Sequence, residues 1–140
     1  MATTFEEIRD TFELFDDWED RYRYLIDLGR ELEPLDDSEK TDATKVRGCA
    51  SQVWLVSTLE GEPPVVRLRG DSDAHIVKGL IAVLLLLYSG KTPEEILAID
   101  AKAALGDLGL EAHLSPMRTN GLFSMVERIR AIAAGHLAEA

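Results

Sequence analysis

The sequence predicts an α+β domain: a small three-stranded antiparallel sheet with helices packed on one face. Stretches with apolar residues at helical spacing open and close the chain, and between them lies one stretch rich in β-branched and aromatic residues with a turn at its middle. An order of helices, hairpin and further helices is typical of this class. A chain of 140 residues can bury a core without disulfides, and we expect one domain over residues 1–140.

Two helices are predicted in the N-terminal quarter. The first has apolar residues at helical spacing, at Phe5, Ile8, Phe12 and Phe15. The second covers an apolar stripe from Trp18 to Leu32, and the pair Asp16–Asp17 can cap it. Pro34 ends the second helix, because the residue before a proline is disfavoured in the α region. Residues 35–44 are acidic and aperiodic, which predicts a solvated connection.

A β-hairpin is predicted next. Residues 52–59 are rich in β-branched and aromatic side chains, Glu60 to Pro64 supplies a turn, and Val65 to Arg69 alternates between apolar and polar residues. Lys45 to Arg47 is expected to add a short third strand.

A central helix is predicted from Ala74 to Tyr88, because this segment is apolar on nearly every side. The small polar residues from Gly70 to Asp73 precede it as N-cap candidates, and Gly90 follows as its C-terminal glycine. Thr92 to Glu95 is a capping box with proline at the first helical position, which predicts a short helix through Ile99.

The last part of the chain is also predicted to be helical. Residues 100–110 give a weaker pattern, broken by Gly106 and Gly109. After Ser115 and Pro116 a long helix is predicted. Its apolar face comprises Leu122, Met125, Val126, Ile129, Ile132, Ala133 and His136.

Composition argues against several kinds of partner. The chain has 15 Lys and Arg against 26 Asp and Glu, and a net charge of -11 repels a phosphate backbone, so we expect no nucleic-acid partner. The longest apolar run, Ile81 to Tyr88, is far shorter than the roughly 20 residues that span a bilayer, so no membrane partner is expected. Residues 1–7 lack the features of a secretion signal, and we expect a cytoplasmic protein.

Cys49 is the chain's one cysteine, so it cannot close an internal disulfide, nor can it alone make a zinc or iron–sulfur site. We expect neither a bound metal nor a cofactor. One interpretation is a buried, inert cysteine, since free cysteine is often buried. Gly48 and the small residue Ala50 instead favour a loop tip, and Lys45 and Arg47 could favour a thiolate.

A cysteine hydrolase is an alternative function, because a histidine often activates a nucleophilic cysteine. His75, His113 and His136 are available. None of the known cysteine-hydrolase signatures surrounds Cys49. The hydrolase interpretation requires a histidine within hydrogen-bond reach of Cys49. A third interpretation, a purely structural interaction domain, requires that Cys49 be dispensable.

Three separated motifs, in the right order, resemble the SufE family of sulfur acceptors. They are Gly48-Cys49-Ala50-Ser51-Gln52-Val53-Trp54, Gly70-Asp71-Ser72-Asp73-Ala74 with the following Ile76-Val77-Lys78-Gly79-Leu80, and Leu114-Ser115-Pro116-Met117-Arg118-Thr119-Asn120-Gly121-Leu122. The resemblance runs from Trp18 almost to the C terminus. It implies a sheet of three antiparallel strands with helices on one face, similar to that of the IscU-type scaffolds.

The resemblance also implies a function. A SufE protein takes persulfide sulfur from a cysteine desulfurase, a pyridoxal phosphate enzyme, stimulates that enzyme, and delivers the sulfur to an iron–sulfur scaffold complex. By this resemblance Cys49 carries the persulfide, and Asp73 and Arg118 lie around the cysteine loop and its docking surface. Met117 departs from the family, which usually has a small hydroxyl residue there. The remaining loop and docking candidates are Gly48, Ser51, Gln52, Asp71, Asn120 and Gly121.

The acidic residues beside the predicted central helix suggest a resting state for the thiol. Asp71 and Asp73 are expected near the Cys49 loop, where negative charge disfavours a thiolate. Apolar neighbours are expected to shelter the sulfur as well. Docking on the desulfurase would then have to lift the loop out.

Overall fold

One β-hairpin stands between two N-terminal helices and five later ones in this computed structural model, which describes residues 4–49 and 51–139. The N-terminal helices are α1 (Phe5–Leu14) and α2 (Trp18–Arg30), and a 3₁₀ turn at Asp37–Glu39 follows. The strands are β1 (Val53–Glu60) and β2 (Val65–Ser72). The later helices are α3 (His75–Tyr88), α4 (Pro93–Ala98), α5 (Ala101–Asp107), α6 (Leu110–His113) and α7 (Pro116–Glu139).

Side-chain caps fix the starts of several helices where the sequence predicts them. Thr4 accepts a hydrogen bond from the backbone N–H of Glu7 at the start of α1, and Asp17 accepts one from Asp20 at the start of α2. Thr92 and Glu95 form the predicted capping box of α4. The caps at Asp17 and Thr92 confirm predictions, whereas the Thr4 cap was not predicted. All three show that local chemistry determines these boundaries.

α3 is the central helix, as predicted, and nine of its residues are buried. Its predicted N-cap is wrong, however. Asp71 and Ser72 continue β2 instead, because Ser72 pairs with Val53 at the start of β1. The N-cap residue is Ala74, whose backbone N–H donates to the Ser72 hydroxyl at 3.2 Å.

The sheet has two antiparallel strands in the part of the chain that the structure describes, rather than the predicted three. At the expected third strand there is a single bridge between Lys45 and Trp54, with Val46 N–H donating to the Val53 carbonyl at 2.8 Å. The segment stays this short because the chain turns immediately afterwards at Gly48, whose φ is +88°. In place of the predicted third strand there is therefore one isolated β-bridge.

Residues 35–44 are mostly exposed, as predicted for a solvated connection, but the segment is also attached to the sheet, which the sequence did not predict. Leu35 is buried. Glu39 forms an ion pair with Arg69 of β2, and the Lys40 ammonium lies over the Trp54 ring, 5.3 Å from its centroid. This segment therefore covers part of the sheet face opposite α3.

α2 and α3 cross at two glycines. A Cβ on Gly79 would lie 2.2 Å from the carbonyl oxygen of Leu25, and a Cβ on Gly29 would lie 2.6 Å from the backbone nitrogen of Gly79. The two backbones approach too closely for any side chain at these positions. This contact sets how near α2 comes to the central helix.

α7 closes the domain. Its inward face contains the predicted apolar residues, of which Leu122, Met125, Val126, Ile129 and Ala133 are buried. His136, at its last turns, hydrogen-bonds the Ser57 hydroxyl of β1 at 3.2 Å. Within the described residues, none of the helices has both the length and the apolar character needed to cross a bilayer.

We predict that Gly79→Ala lowers the free energy of unfolding by about 1–3 kcal/mol, because the added methyl overpacks the α2–α3 contact. Thermal and urea denaturation would measure the loss. Gly135→Ala is the matched control, since a Cβ there meets no atom within 4 Å and alanine favours the helix. Equal stability of the two variants would show that the crossing tolerates a side chain.

Candidate functional site

Cys49 lies in the loop between the Lys45 bridge and β1, with its side chain half-buried against α7. Its thiol donates a weak hydrogen bond to the carbonyl oxygen of Gly121, with sulfur and oxygen 3.5 Å apart. A Cβ on Gly121 would lie 3.6 Å from the sulfur, which is ordinary van der Waals contact. The sulfur therefore rests directly on the helix backbone.

Both ends of this loop are tied to the rest of the fold. Before Cys49, the Arg128 guanidinium of α7 donates to the carbonyl oxygens of Ala43 and Lys45, the latter at 3.1 Å. After Cys49, the Asp73 carboxylate accepts a hydrogen bond from the Gln52 N–H at 3.0 Å. The loop can therefore change position only between these two attachments.

Gly48 is required for the loop to reach α7. Its φ of +88° lies in the left-handed region, where a side chain is strained. In addition, a Cβ would lie 2.5 Å from the Ser124 hydroxyl oxygen of α7. Gly121, Ser124 and Arg128 lie at helical spacing along α7, and we name these three residues the α7 seat. Arg128 contacts the loop before the cysteine, Gly121 contacts the cysteine itself, and Ser124 lies beside Gly48.

A cavity of about 160 Å³ opens beside the sulfur, between α3 and α7. Its lining is mostly apolar, with an arginine and two serines. The lining residues are Cys49, Ser51, Val77, Leu80, Ser115, Met117, Arg118, Gly121, Leu122 and Met125. A small group attached to the sulfur could therefore be held there away from bulk water.

Burial raises the pKa of the Cys49 thiol above its ordinary value. The sequence predicts that the charges of Asp71 and Asp73 suppress the thiolate, but the rise in the pKa comes from burial instead. The bond to Gly121 exists only while the sulfur carries its proton. At rest, the site holds a neutral thiol.

Asp71 is buried away from the cavity, although the sequence places it in the same motif as Asp73. Burial alone would raise the pKa of its carboxyl. The backbone N–H groups of Ser72 and Leu35 and the ammonium groups of Lys78 and Lys40 outweigh burial, and the pKa is lowered. Each lysine nitrogen lies 3.6 Å from the carboxylate. Asp71 therefore joins the 35–44 segment, β2 and α3.

The structure brings most of the sequence-derived candidates together around Cys49. Ser51, Arg118 and Gly121 line its cavity, while Gly48, Gln52 and Asp73 shape or anchor its loop. Asn120 is exposed beside Arg47, in a neighbouring surface depression. Ala50 lies outside the described residues.

Sequence reasoning missed Ser124 and Arg128 of the α7 seat. Arg128 lies on a helix and looks like an ordinary charged surface residue, and its partner carbonyls are 83 and 85 residues away. Nothing in the local pattern could have identified it.

The histidines do not complete a catalytic pair in the described part of the chain. No histidine is among the described residues that line the cavity. His113 stacks on Trp18 with ring centroids 4.0 Å apart, and His136 contacts Ser57. His75 is exposed in the first turn of α3. The hydrolase alternative therefore has no base beside the thiol.

Metal-ligating side chains do not gather in residues 4–49 and 51–139: no group of three or more His, Cys, Asp and Glu side chains is positioned to hold an ion. The chemistry that the geometry offers is that of a single thiol.

The fold and this site define a class: a small α+β protein that presents one sheltered thiol from a loop beside its sheet. Residues 6–133 match the family model of the SufE domain, described as an Fe–S metabolism associated domain. The chain belongs to the SufE family.

Two named relatives support this assignment, and a solved structure shares the fold. The chain is 49% identical over 137 residues to a SufE-like protein of Rhizobium meliloti (strain 1021), covering 96% of this chain and 98% of that one. It is 52% identical over 132 residues to a SufE-like protein of Rhizobium etli, covering 93% and 89%. A solution structure of a hypothetical protein from Thermus thermophilus has the same fold, with a TM-score of 0.76, 23% identity and 96% of each chain covered.

The raised pKa of Cys49 predicts a pH dependence. Only the thiolate is alkylated, so the rate of iodoacetamide labelling of the native protein should still be rising at about pH 9, above the ordinary thiol pKa of about 8.5. The same chain unfolded in urea should approach its plateau earlier. Superimposable profiles for the native and unfolded protein would contradict the assignment of the shift to burial.

Proposed function

We propose that this protein is a sulfur acceptor and carrier, which takes persulfide sulfur from a cysteine desulfurase onto Cys49 and delivers it to an iron–sulfur cluster scaffold. The observation that carries the proposal is the placement of Cys49 at a largely apolar cavity. Membership of a family associated with Fe–S metabolism supports the same conclusion. We place the reaction in the cytoplasm.

The chemical step needs one thiolate on this chain. Cys49 loses its proton and attacks the outer sulfur of the donor's persulfide. A new S–S bond forms on Cys49, the S–S bond of the donor breaks, and the donor cysteine leaves as a thiolate. No electrons are gained or lost overall. The desulfurase supplies the pyridoxal phosphate chemistry that makes its persulfide, so this chain needs no cofactor of its own.

A single cysteine suits a carrier. A second thiol nearby would attack the Cys49 persulfide, form a disulfide and release the sulfur as sulfide. The chain has no other cysteine with which to do so. The apolar lining beside Cys49 supports the same role, because it keeps water and dissolved thiols from the carried sulfur.

Sulfur transfer requires Cys49 to leave the α7 seat. Among the described residues, the weak thiol bond to Gly121 is the one hydrogen bond at the sulfur itself that must break. The loop attachments at Arg128 and Asp73 lie on either side and limit how far the segment moves. The exposed side chains of Arg118 and Asn120 stand beside the opening and form the proposed docking surface for the desulfurase.

We predict that Cys49→Ser folds normally, yet neither accepts sulfur nor stimulates the desulfurase, because a hydroxyl cannot hold sulfane sulfur. The protein would be incubated with a cysteine desulfurase and cysteine, and its intact mass measured. The wild type should gain the mass of one sulfur atom, and the serine variant should gain none.

Ser124→Ala is the matched control, since it removes a hydroxyl from the α7 seat and leaves the thiol in place. It should still gain one sulfur atom. Stimulation of desulfurase turnover by Cys49→Ser equal to that by the wild type would show that Cys49 is a packing residue.

The Asp73 bond to the loop gives a second prediction. Asp73→Ala removes the acceptor for the Gln52 N–H, and losing one exposed hydrogen bond of up to about 1 kcal/mol should speed iodoacetamide labelling of Cys49 about 2- to 5-fold. Asp73→Asn keeps an acceptor oxygen and should label at nearly the wild-type rate. If the asparagine variant were as fast as the alanine variant, charge rather than the hydrogen bond would be restraining the thiol.

A further inference from the structure

The outer edge of β1, the edge that points away from β2, is only partly paired. Two backbone bonds to residues 44–46 occupy it as far as Leu55: the Val53 carbonyl accepts at 2.8 Å and the Leu55 N–H donates at 2.9 Å. Outward-pointing residues alternate along an antiparallel strand, so Ser57 and Leu59 also present their N–H and C=O groups on this edge. None of the described residues bonds to these four backbone groups.

The unpaired part of the edge lies at the surface. Residues 58–60 are exposed, and the large apolar side chain of Leu59 is 40% exposed. β2 is closed on its own outer side, because residues 89–91 bond to Val66 and Leu68 there. A further strand can therefore join the hairpin beside β1.

A second copy of β1 fits this edge in one register. If Ser57 lies opposite Leu59 of the second copy, two-fold symmetry also places Leu59 opposite Ser57 of that copy. Each of these pairs exchanges two hydrogen bonds, so all four free backbone groups of each chain are satisfied together. The neighbouring registers are worse, because one places Leu59 opposite the occupied Leu55 and the other places Ser57 opposite Gly61, beyond the end of the strand.

The side chains are compatible with this register. Thr58 lies at the two-fold axis, directly opposite Thr58 of the second copy, and threonine pairs are favourable between strands. Glu60 lies opposite Val56 of the second copy. The two Glu60 residues are therefore about 14 Å apart along the strands, which exceeds the Debye length of about 8 Å at physiological salt. Repulsion between these carboxylates is largely screened.

We propose that the outer edge of β1 binds the same edge of a second copy of this chain, giving a dimer with a continuous four-stranded antiparallel sheet. The contact is the same on both chains, and the covered outer side of β2 prevents the sheet from growing further. Four backbone hydrogen bonds along a narrow strip make a small interface, so the dimer is weak. The net charge of -11 on each chain opposes association, and added salt strengthens it.

The dimer keeps its two cysteine loops apart. Each loop ends where β1 begins, at Val53, and the two chains run in opposite directions. In the proposed register the two Val53 residues are about 30 Å apart along the strands. A disulfide requires Cα atoms within about 7 Å, so the two Cys49 thiols of one dimer cannot oxidise each other. Both loops remain available on opposite ends of the sheet.

Sedimentation equilibrium tests the interface. The wild type would be measured from about 1 μM to about 1 mM, with a reductant and added salt. Its average mass should rise from 15.5 kDa towards twice that value. Thr58→Lys should weaken association at least about 5-fold, because two ammonium groups then face each other at the axis. Thr58→Val is the matched control, since it conserves shape and should associate as the wild type does.

A mixture of Thr58→Lys and Thr58→Glu tests the register. Each variant alone should associate more weakly than the wild type, whereas the mixture should form a heterodimer, because lysine then faces glutamate. Position 58 also lies opposite Arg67 within the hairpin, so thermal unfolding would verify that both variants are folded.

Amide hydrogen exchange gives an independent readout in the wild type. Exchange should slow with rising protein concentration at Ser57 and Leu59, but not at Thr58, whose N–H already faces β2. Three results would overturn the proposal: a wild type that remains monomeric at the highest concentration, equal association of the wild type and Thr58→Lys, or a mixture that associates no better than its separate components. A monomeric wild type would leave this edge to a strand of a different protein.

Discussion

The Cys49 sulfur lies against the backbone of α7 at Gly121, and the geometry of the site depends on this contact. A loop that carries a thiol can be held there only if the chain can turn sharply before it, which Gly48 permits. It must also be fixed on both sides, through Arg128 and Asp73. The contact shelters the sulfur from water and thereby raises the pKa of the thiol. Reactivity is therefore set by packing, not by an adjacent base.

The rest of the fold positions α7 and the loop relative to each other. α3 provides the opposite wall of the cavity through Val77 and Leu80, and the glycine contact with α2 fixes where α3 lies. Asp71 links α3 to β2 and to the 35–44 segment by two ion pairs. β1, which follows the cysteine loop directly, pairs with β2 and is thereby connected to these contacts. A small change at the α2–α3 crossing should reach the thiol through this chain of contacts.

Short-range chemistry made much of the fold predictable from the sequence. The caps at Asp17 and Thr92, the hairpin and the buried helix α3 depend on residues a few positions apart, and all three features are present. The errors come from long-range contacts. The 35–44 segment is exposed at most positions, yet Glu39 and Lys40 attach it to the sheet. Asp71 looks like a helix cap but lies in β2, where it pairs with Lys40 and Lys78.

The candidate site likewise contains some residues that the sequence could identify and others that it could not. Cys49, Asp73 and Arg118 lie in motifs that resemble the SufE family, so the sequence could identify them. Arg128 and Ser124 lie outside those motifs and act on a loop more than 70 residues away, so no local pattern indicates their role. Two methionines also line the cavity. In the sequence, Met125 was only an apolar residue of a predicted helix, and Met117 was only a departure from the family.

The most direct test of this account is the rate at which iodoacetamide labels Cys49 at pH 8. The rate would be measured in the native protein, in the protein unfolded by urea, and in the native protein with a cysteine desulfurase, the proposed partner. If the fold shelters the thiol on α7, the native rate should be several-fold below the unfolded rate, and the desulfurase with no persulfide on it should raise the native rate. Equal rates in all three samples would show that Cys49 is constitutively exposed and would contradict the account.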